Sequence, residues 1–411
     1  MSWAETQGLM LRKVHAPQGE DMPRTIGIDL GASLSRLAYL DKAVARPKCI
    51  AGPYGDVFCP SVVSVDGDGT ILAGAPAARR LFSQPERTAR SVKHAIGLDR
   101  GDMHEELRAA LRLNAGMGEE SCVRLGDCLY TLPELTALLI RELKTWAEVF
   151  FGEPVSQAVI AVPASFNDAQ REAMHEAGKL AGFERWRLMP EPAAAALAYG
   201  LHEQQRKHVA VFDLGGSRFE ISILRMDEAS EGDRYQVIAT RGDARLGGNE
   251  LDDALLGIAR EEIRTRRGLD LGTESPGVLA LRRTLLQAKH ELSFADRARI
   301  EVPLPDRSLY IREMSRAEFE ALAQPILERA VGPVRTALRD AGLNPGEIDD
   351  VVLAGGSTHI PLVRRMAEQL LGRRTHAALD PDEVVALGAA VQAEILESAG
   401  WAYEAKSVAA R

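Results

Sequence analysis

Cysteine is scarce in this sequence, with four residues in a chain of 411. Cys49, Cys59, Cys122 and Cys128 form no CxxC pair and have no histidine at metal-ligand spacing. Their spacing favours neither a zinc knuckle nor a disulfide framework. A reducing cytoplasm is therefore the simplest compartment for this protein.

Long apolar runs and an excess of positive charge are lacking as well. No apolar stretch approaches the roughly 20 residues that a membrane helix needs, and the N-terminus is charged where a signal peptide is apolar. The chain has 50 basic and 59 acidic residues, a formal net charge of −9. We expect neither nucleic-acid nor membrane partners, because no electrostatic footprint for either is present.

The hydrophobic content of 45% is enough for one large two-lobed unit or two domains. Residues 1–23 are polar, and we expect a mobile extension outside the fold. After them, apolar strands recur and alternate with helices, as at Gln157–Pro163, where Asn167 or Asp168 caps a helix that ends at Gly182. Strands that alternate with helices indicate an α/β fold.

One pentapeptide pattern occurs twice. Asp29–Ser33 and Asp213–Ser217 both begin with Asp-Leu-Gly, and each follows an apolar strand. The natural interpretation is a duplicated half. A strand that leads Asp-Leu-Gly into a tight turn suits phosphate chemistry, since the glycine lets backbone N–H groups reach the anion and the aspartate can hold a hydrated Mg²⁺.

A single Asp-Leu-Gly tripeptide is weak evidence, because aspartate and glycine are ordinary turn residues. Two such turns are stronger, and Gly355–Thr358 adds a third glycine-rich turn after the strand Val351–Ala354. A helix opened by Pro361 follows this turn, and helix starts favour phosphate groups.

Several longer segments together carry a resemblance to a known family. These segments are Asp29–Gly31, Val162–Arg171, Glu191–Ala195, Leu246–Gly248 and Gly355–Thr358. They resemble the nucleotide-binding domain of the heat shock protein 70 chaperones, and the resemblance runs from about Arg24 to Leu396.

The resemblance implies an α/β actin-like ATPase fold. Two lobes are expected, each built on a duplicated ribonuclease H-like βββαβα core with α/β insertions. Their expected bounds are 24–206 for lobe I with an insertion at about 61–130, 207–400 for lobe II with an insertion at about 248–321, and 401–411 for a C-terminal tail.

The same resemblance implies catalytic roles for four residues. Asp29 and Asp213 would orient Mg²⁺ through its waters, Lys93 would hold the γ-phosphate and the attacking water, and Glu191 would help to place metal and water. Hydrolysis needs this division of labour. The alternatives are that Lys93 is a solvated surface lysine and that Glu191 is a helix N-terminal carboxylate before Pro192.

The implied ligands are ATP or ADP with Mg²⁺, with K⁺ as a further candidate ion. The residues that would contact the nucleotide are Gly31, Ala32, Ser33, Gly215, Gly216, Ser217, Arg218, Gly247, Gly248, Lys289, His290, Ser293, Gly355, Gly356, Ser357, His359 and Asp382.

The phosphate loops depart from the family pattern. Ala32, Ser33 and Leu34 stand where the family has two threonines and a polar or aromatic residue, and Arg218 replaces a hydroxyl that faces the γ-phosphate. A guanidinium there can neutralise phosphate charge, or it can fill the position of the attacking water. We expect slow hydrolysis; the alternative is that Arg218 turns out to solvent.

The adenosine side departs too. Leu286 replaces the ribose-binding carboxylate, whereas Lys289 and Ser293 remain. His290 and His359 stand where two arginines usually enclose the base. Since an imidazole stacks on a purine without a permanent charge, we expect weaker nucleotide affinity.

Partner proteins are implied by three further matches. Pro163 and Arg171 match the family's relay between nucleotide state and peptide-binding domain, and Arg187 matches an arginine that contacts co-chaperone J-domains. We find no counterpart of the interdomain linker or the peptide-binding domain in the sequence. A separate partner is therefore expected: a co-chaperone, a nucleotide exchange factor or another effector.

The expected function is a slow ATPase that changes lobe closure with nucleotide state and signals to such a partner. The main alternative is a nucleotide-binding regulator with little or no turnover, for which Leu34, Arg218 and Leu286 are the evidence. A small-molecule kinase and a filament-forming actin relative share the fold class, but the segment Val162–Arg171 argues against both.

Overall fold

The structure is a computed structural model of the chain. It describes residues 25–81, 83–103, 105–111, 122–201, 207–226, 235–272, 276–398 and 401. The extension expected at residues 1–23 lies outside the described residues, as does the expected tail apart from Trp401.

Strands and helices alternate along the chain. The strands are β1 Thr25–Asp29, β2 Leu34–Asp41, β3 Arg46–Cys49, β4 Cys59–Pro60, β5 Val62–Val65, β6 Ile71–Ala73, β7 Thr88–Arg90, β8 Cys122–Leu125, β9 Cys128–Thr131, β10 Gln157–Val162, β11 Arg185–Pro190, β12 Lys207–Leu214, β13 Phe219–Met226, β14 Tyr235–Asp243, β15 Arg297–Pro303, β16 Leu309–Ser315 and β17 Asp350–Ala354. The helices are α1 Ala75–Ala78, α2 Glu105–Leu111, α3 Leu132–Phe151, α4 Asp168–Leu180, α5 Glu191–Ala198, α6 Gly248–Arg267, α7 Pro276–Phe294, α8 Arg316–Leu327, α9 Val331–Ala341, α10 Pro361–Leu371 and α11 Val384–Ser398.

The described chain forms two compact units. Unit 1 takes in the described residues up to 201 and those from 383 onward, and unit 2 takes in the described residues from 207 to 382. Each unit has its own hydrophobic core. Helix α11 belongs to unit 1, although it follows the last strand of unit 2 in sequence.

The main sheet of unit 1 has the order β11-β10-β1-β2-β3, with β4 paired to β2. Strands β1, β10 and β11 are parallel to one another. Strand β2 pairs antiparallel with β1, and β3 pairs antiparallel with β2. The carboxyl ends of parallel strands meet at one edge of a sheet. Asp29 at the end of β1 and Glu191 directly after β11 therefore lie at the same sheet edge.

The main sheet of unit 2 repeats this pattern with the order β14-β13-β12-β17. Strands β12, β13 and β14 are antiparallel neighbours, and β17 is parallel to β12. An isolated parallel bridge from Val351 to Thr375 continues the sheet beyond β17. The two sheets have matching topologies around β1 and β12, which confirms the internal duplication predicted from the repeated Asp-Leu-Gly turns.

The predicted helix boundaries are confirmed at two places. The side chain of Asn167 accepts a bond from the backbone N–H of Gln170 and caps α4, which Gly182 follows with a φ of 83°. Helix α10 opens with Pro361 and ends at Gly372, whose φ is 68°. Both helix boundaries could be predicted, because helix capping depends on residues within a few positions of the helix end.

Helix α11 is buried on nearly every side. Its buried residues run from Val384 to Leu396, and it packs against β1 and α5. A helix that is apolar all round belongs in a protein interior. In the part of the chain that the structure describes, we find no helix both long and apolar enough to cross a membrane.

Candidate functional site

In unit 1, the turn between β1 and β2 contains the predicted residues Gly31, Ala32 and Ser33. The hydroxyl of Ser61 donates to the carbonyl of Gly31 at 2.7 Å, and the backbone N–H of Ser61 donates to the carbonyl of Ser33 at 2.8 Å. Asp29, just before the turn, is half-buried at the sheet edge. The shape of the turn is therefore fixed by a segment 30 residues further along the chain.

Lys93 and Glu191 form an ion pair in unit 1. Nζ of Lys93 lies 2.5 Å from Oε1 of Glu191, and the two side chains are only 13% and 8% exposed. Lys93 lies in the short helical turn Val92–His94, and Glu191 is the first residue of α5. The alternative of a solvated surface lysine is wrong, because its amine is buried against a carboxylate.

The turn that carries Lys93 is held against the start of α4. Gly97 has a φ of 66°, and a Cβ added there would lie 2.4 Å from the Cα of Gln170. Only glycine allows this close approach at a positive φ. The segment that carries Lys93 therefore packs directly against the Val162–Arg171 motif.

Arg171 fixes the loop that joins β10 to α4. Its Nε donates to the carbonyl of Phe166 at 3.2 Å, and its Nη2 lies 3.5 Å from the carbonyl of Ala164 as a second donor. Pro163, the first residue after β10, is buried. The two predicted relay residues thus lie close together, with Pro163 in the loop and Arg171 in the first turn of α4, from which its guanidinium bonds to the loop backbone.

In unit 2, three glycine-containing turns converge on one another. The backbone N–H of Gly248 donates to the carbonyl of Gly215 at 3.0 Å, and the N–H of Asn249 donates to the carbonyl of Gly216 at 2.6 Å. The hydroxyl of Ser357 also donates to the carbonyl of Gly215, at 3.0 Å. Predicted residues from sequence positions as distant as 215 and 357 are therefore brought together; the others in these turns are Ser217, Gly247 and Gly356.

Asp213 is packed against the third of these turns. Gly355 follows β17 with a φ of 82°, and a Cβ there would lie 2.6 Å from Oδ1 of Asp213. Asp213 is half-buried at the end of β12. Since carboxylate oxygens and backbone N–H groups suit Mg²⁺ and phosphate, the residues of unit 2 fit a metal-nucleotide ligand.

Arg218 has a carboxylate partner that the motif comparison had not singled out. Its Nη2 lies 3.3 Å from Oε2 of Glu220, and the side chains are 25% and 9% exposed. Glu220 also stands directly opposite Asp213 in the pairing of β12 with β13. The alternative in which Arg218 turns out to solvent is therefore wrong. The signal for this pair was the spacing of two residues between Arg218, just before β13, and Glu220 within it.

Lys289 is engaged within unit 2. Its Nζ lies 2.7 Å from Oδ1 of Asp252 and donates to the carbonyl of Gly248 at 3.1 Å, with only 8% of the side chain exposed. Burial raises the pKa of Asp252, and the charge of Lys289 opposes that shift. The hydroxyl of Ser293 bonds to the carbonyl of Lys289 at 3.5 Å. Lys289 therefore supports the Gly248 turn.

The two predicted base-contacting histidines have opposite electrostatic environments. The side chains of Asp382 and Asp380, whose oxygens lie 3.3 and 3.2 Å from Nε2 of His359, raise the pKa of His359. Burial and the charge of Lys289 lower the pKa of His290. At neutral pH, His359 therefore carries more positive charge than His290.

An exposed aromatic side chain lies beside His359. The ring centroids of Phe294 and His359 are 5.5 Å apart, and Phe294 is 75% exposed. Phe294 follows His290 by one helical turn on α7, so helical periodicity was the signal for it. Leu286, one turn before His290, is 37% exposed.

The residues from 25 to 406 match the Hsp70 protein family. The match covers most of the chain, including every segment on which the resemblance was based. The chain therefore belongs to the Hsp70 family, and it has the actin-like ATPase fold that this family's nucleotide-binding domain adopts.

Proposed function

We propose that this Hsp70 family protein binds ATP with Mg²⁺ and hydrolyses it slowly, as a chaperone-related switch whose lobe closure changes with nucleotide state. The main support for the proposal is the ion pair between Lys93 and Glu191, in which an ammonium group able to bind a phosphoryl group lies beside a carboxylate. Such a pair supplies transition-state charge stabilisation in phosphoryl transfer.

Mg²⁺ would be held through its waters by Asp29, Asp213 and Glu191. Asp29 is the last residue of β1, Asp213 is the last but one of β12, and both are half-buried, as suits carboxylates that hold a hydrated cation. The hydrogen bonds that join the Gly215, Gly248 and Ser357 segments hold these turns in a fixed shape, which supports a preformed phosphate site among them. Bound Mg²⁺ would neutralise charge on the phosphates.

The rate of hydrolysis depends on Arg218 in this proposal. Its ion pair with Glu220 supports a guanidinium retained beside the phosphate turn, where the family has a hydroxyl. We expect this side chain to slow the attack of water. A regulator that binds nucleotide without turnover is the alternative, and it rests on the same residue.

Single-turnover hydrolysis of ATP with Mg²⁺ tests the proposal. Lys93→Ala should abolish turnover, and a parallel titration of ATP should show retained binding. Lys207→Ala is the matched control, because Lys207 also forms a partly buried ion pair, at 2.9 Å from Asp350. Equal turnover in the two variants would contradict the role of Lys93, and binding without turnover in the native chain would favour the regulator.

A separate partner protein is proposed to read the nucleotide state. The loop that connects β10 to α4 supports this. It contains Pro163, accepts a hydrogen bond from Arg171, and is followed by the start of α4, against which the turn that carries Lys93 packs. A co-chaperone, a nucleotide exchange factor or another effector would dock in one nucleotide state. A pull-down with ATP-loaded and ADP-loaded protein tests this, and recovery of no partner in either state would count against it.

All four cysteines lie among the described residues, and none of them forms a disulfide there. Cys122 and Cys128 lie on neighbouring strands but pair with Thr131 and Leu125 in the register. This arrangement supports a reducing compartment, and we propose a cytoplasmic location.

A further inference from the structure

A histidine and two aspartates of unit 2 form a cluster of metal-ligand character. The cluster consists of His359, in the turn after β17, and of Asp380 and Asp382, in the loop that precedes α11. One donor atom from each residue lies within 4.8 Å of the others. The presence of an imidazole nitrogen distinguishes this group from a solvated acidic patch.

The spacing of the donor atoms suits a single small cation. Nε2 of His359 lies 3.2 Å from Oδ1 of Asp380 and 3.3 Å from Oδ2 of Asp382. Zinc binds nitrogen and oxygen ligands at about 2.0–2.2 Å. At tetrahedral or octahedral angles, two such ligands are therefore about 3.0–3.5 Å apart, so the two separations from Nε2 of His359 need little change.

The cluster is held in place from several sides. Oδ1 of Asp380 accepts the backbone N–H of Asp382 at 2.9 Å, which fixes the Asp380 carboxylate relative to the backbone of Asp382. The ring of Phe294 packs beside the imidazole of His359. All three candidate ligands are partly exposed, with the His359 side chain 23% exposed, so an ion from solution can reach them.

A second histidine-aspartate pair in unit 2 can be compared with the cluster at His359. Nε2 of His376 lies 2.7 Å from Asp350, but Nζ of Lys207 lies 2.9 Å from the same carboxylate. A lysine thus supplies the positive charge at Asp350. At His359 a second carboxylate stands in place of that lysine, so three side chains of metal-ligand type meet there.

We propose that His359, Asp380 and Asp382 form a three-ligand site for a divalent transition-metal ion, with Zn²⁺ as the best match. An imidazole with two carboxylates suits zinc and its neighbours better than Mg²⁺ or Ca²⁺, which prefer oxygen ligands alone. Three protein ligands leave a coordination position for water or another donor. The replacement of a family arginine by His359 exchanges a permanent cation for a metal ligand.

The test uses the full chain without nucleotide, so its result does not depend on the proposed ATPase activity. Protein stripped with a chelator is titrated with Zn²⁺ by calorimetry at about pH 8, where imidazole is available to coordinate, in excess Mg²⁺ to occupy oxygen-only sites. Co²⁺ absorption provides a second readout of nitrogen and oxygen ligation. We expect one saturable site that depends on His359.

His359→Ala should abolish this site, and Asp380→Asn should weaken it by roughly tenfold or more. The asparagine oxygen can still accept the N–H of Asp382, so the local turn is retained. His376→Ala is the matched control and should leave zinc affinity unchanged. No saturable uptake by the native chain, equal affinity in His359→Ala, or unchanged affinity in Asp380→Asn would overturn the three-ligand site.

Discussion

Replacement of Arg218 by threonine should make the protein less stable and a faster ATPase. The side chain now lies 3.3 Å from Glu220, which is only 9% exposed. Threonine removes the guanidinium and restores a hydroxyl beside the phosphate turn. The variant separates the structural role of Arg218 from its proposed effect on the attacking water.

The structure sets the size of the stability change. At 3.3 Å and an effective dielectric constant of about 20, two unit charges attract by about 5 kcal/mol. Only part of this is lost, because a quarter of the Arg218 side chain is exposed and solvent screens the pair. We expect Arg218→Thr to lower the free energy of unfolding by about 2 kcal/mol, since it leaves the Glu220 charge without this partner.

Glu220→Gln in the same chain should recover about 1 kcal/mol, because the charge that has lost the Arg218 guanidinium is then removed as well. Urea unfolding followed by circular dichroism measures both variants and the native chain. Circular dichroism is the more direct probe of unit 2, since no tryptophan lies between residues 207 and 382. Additive effects of the two substitutions would refute the ion pair as the source of stability.

Single-turnover hydrolysis measures the second part of the prediction. We expect Arg218→Thr to raise the rate by roughly tenfold, which is about 1.4 kcal/mol in activation free energy. The variant with both substitutions should be at least as fast. A rate that is unchanged or lower in both variants would refute the reasoning that Arg218 slows hydrolysis.

Three further predictions concern other parts of the chain. Burial raises the pKa of Glu142 in the folded state. The stability that Glu142 contributes is therefore present below its unfolded pKa and is lost as pH rises through its folded pKa. Glu142→Gln should raise the midpoint of thermal unfolding at pH 7 but not at pH 3. Gly355→Ala should cost about 1–3 kcal/mol and weaken ATP binding in a titration, because its φ is 82° and the new Cβ would meet Asp213. Burial raises the pKa of Cys59 to about 12, so a thiol reagent at neutral pH should label the exposed Cys128 at once and Cys59 only after unfolding.

Much of the fold could be predicted from local sequence patterns. The caps at Asn167 and Pro361 and the stops at Gly182 and Gly372 depend on hydrogen bonds within a few residues. The duplication was visible because each half repeats an apolar strand followed by Asp-Leu-Gly. The assignment of α11 to unit 1 was not visible in this way, since it depends on packing against β1, more than 350 residues earlier.

The candidate site was only partly visible in the sequence. Motif matching selected Lys93 and Glu191 but gave no distance between them, whereas the structure pairs them at 2.5 Å. It assigned Lys289 to the nucleotide, although the amine is held by Asp252. Asp252 lies 37 positions earlier in the chain, on a different helix, and no spacing rule connects the two.

The sequence by itself determined the α/β class, the two equivalent Asp-Leu-Gly turns and the membership of a family. Periodicity, capping and turn chemistry act between near neighbours, so they can be read without knowledge of the path of the chain. Only the tertiary structure decided that Glu191 pairs with Lys93 and that Asp380 and Asp382 lie beside His359. These contacts depend on strand register and on the approach of separate loops, which are set by the packing of each unit's core.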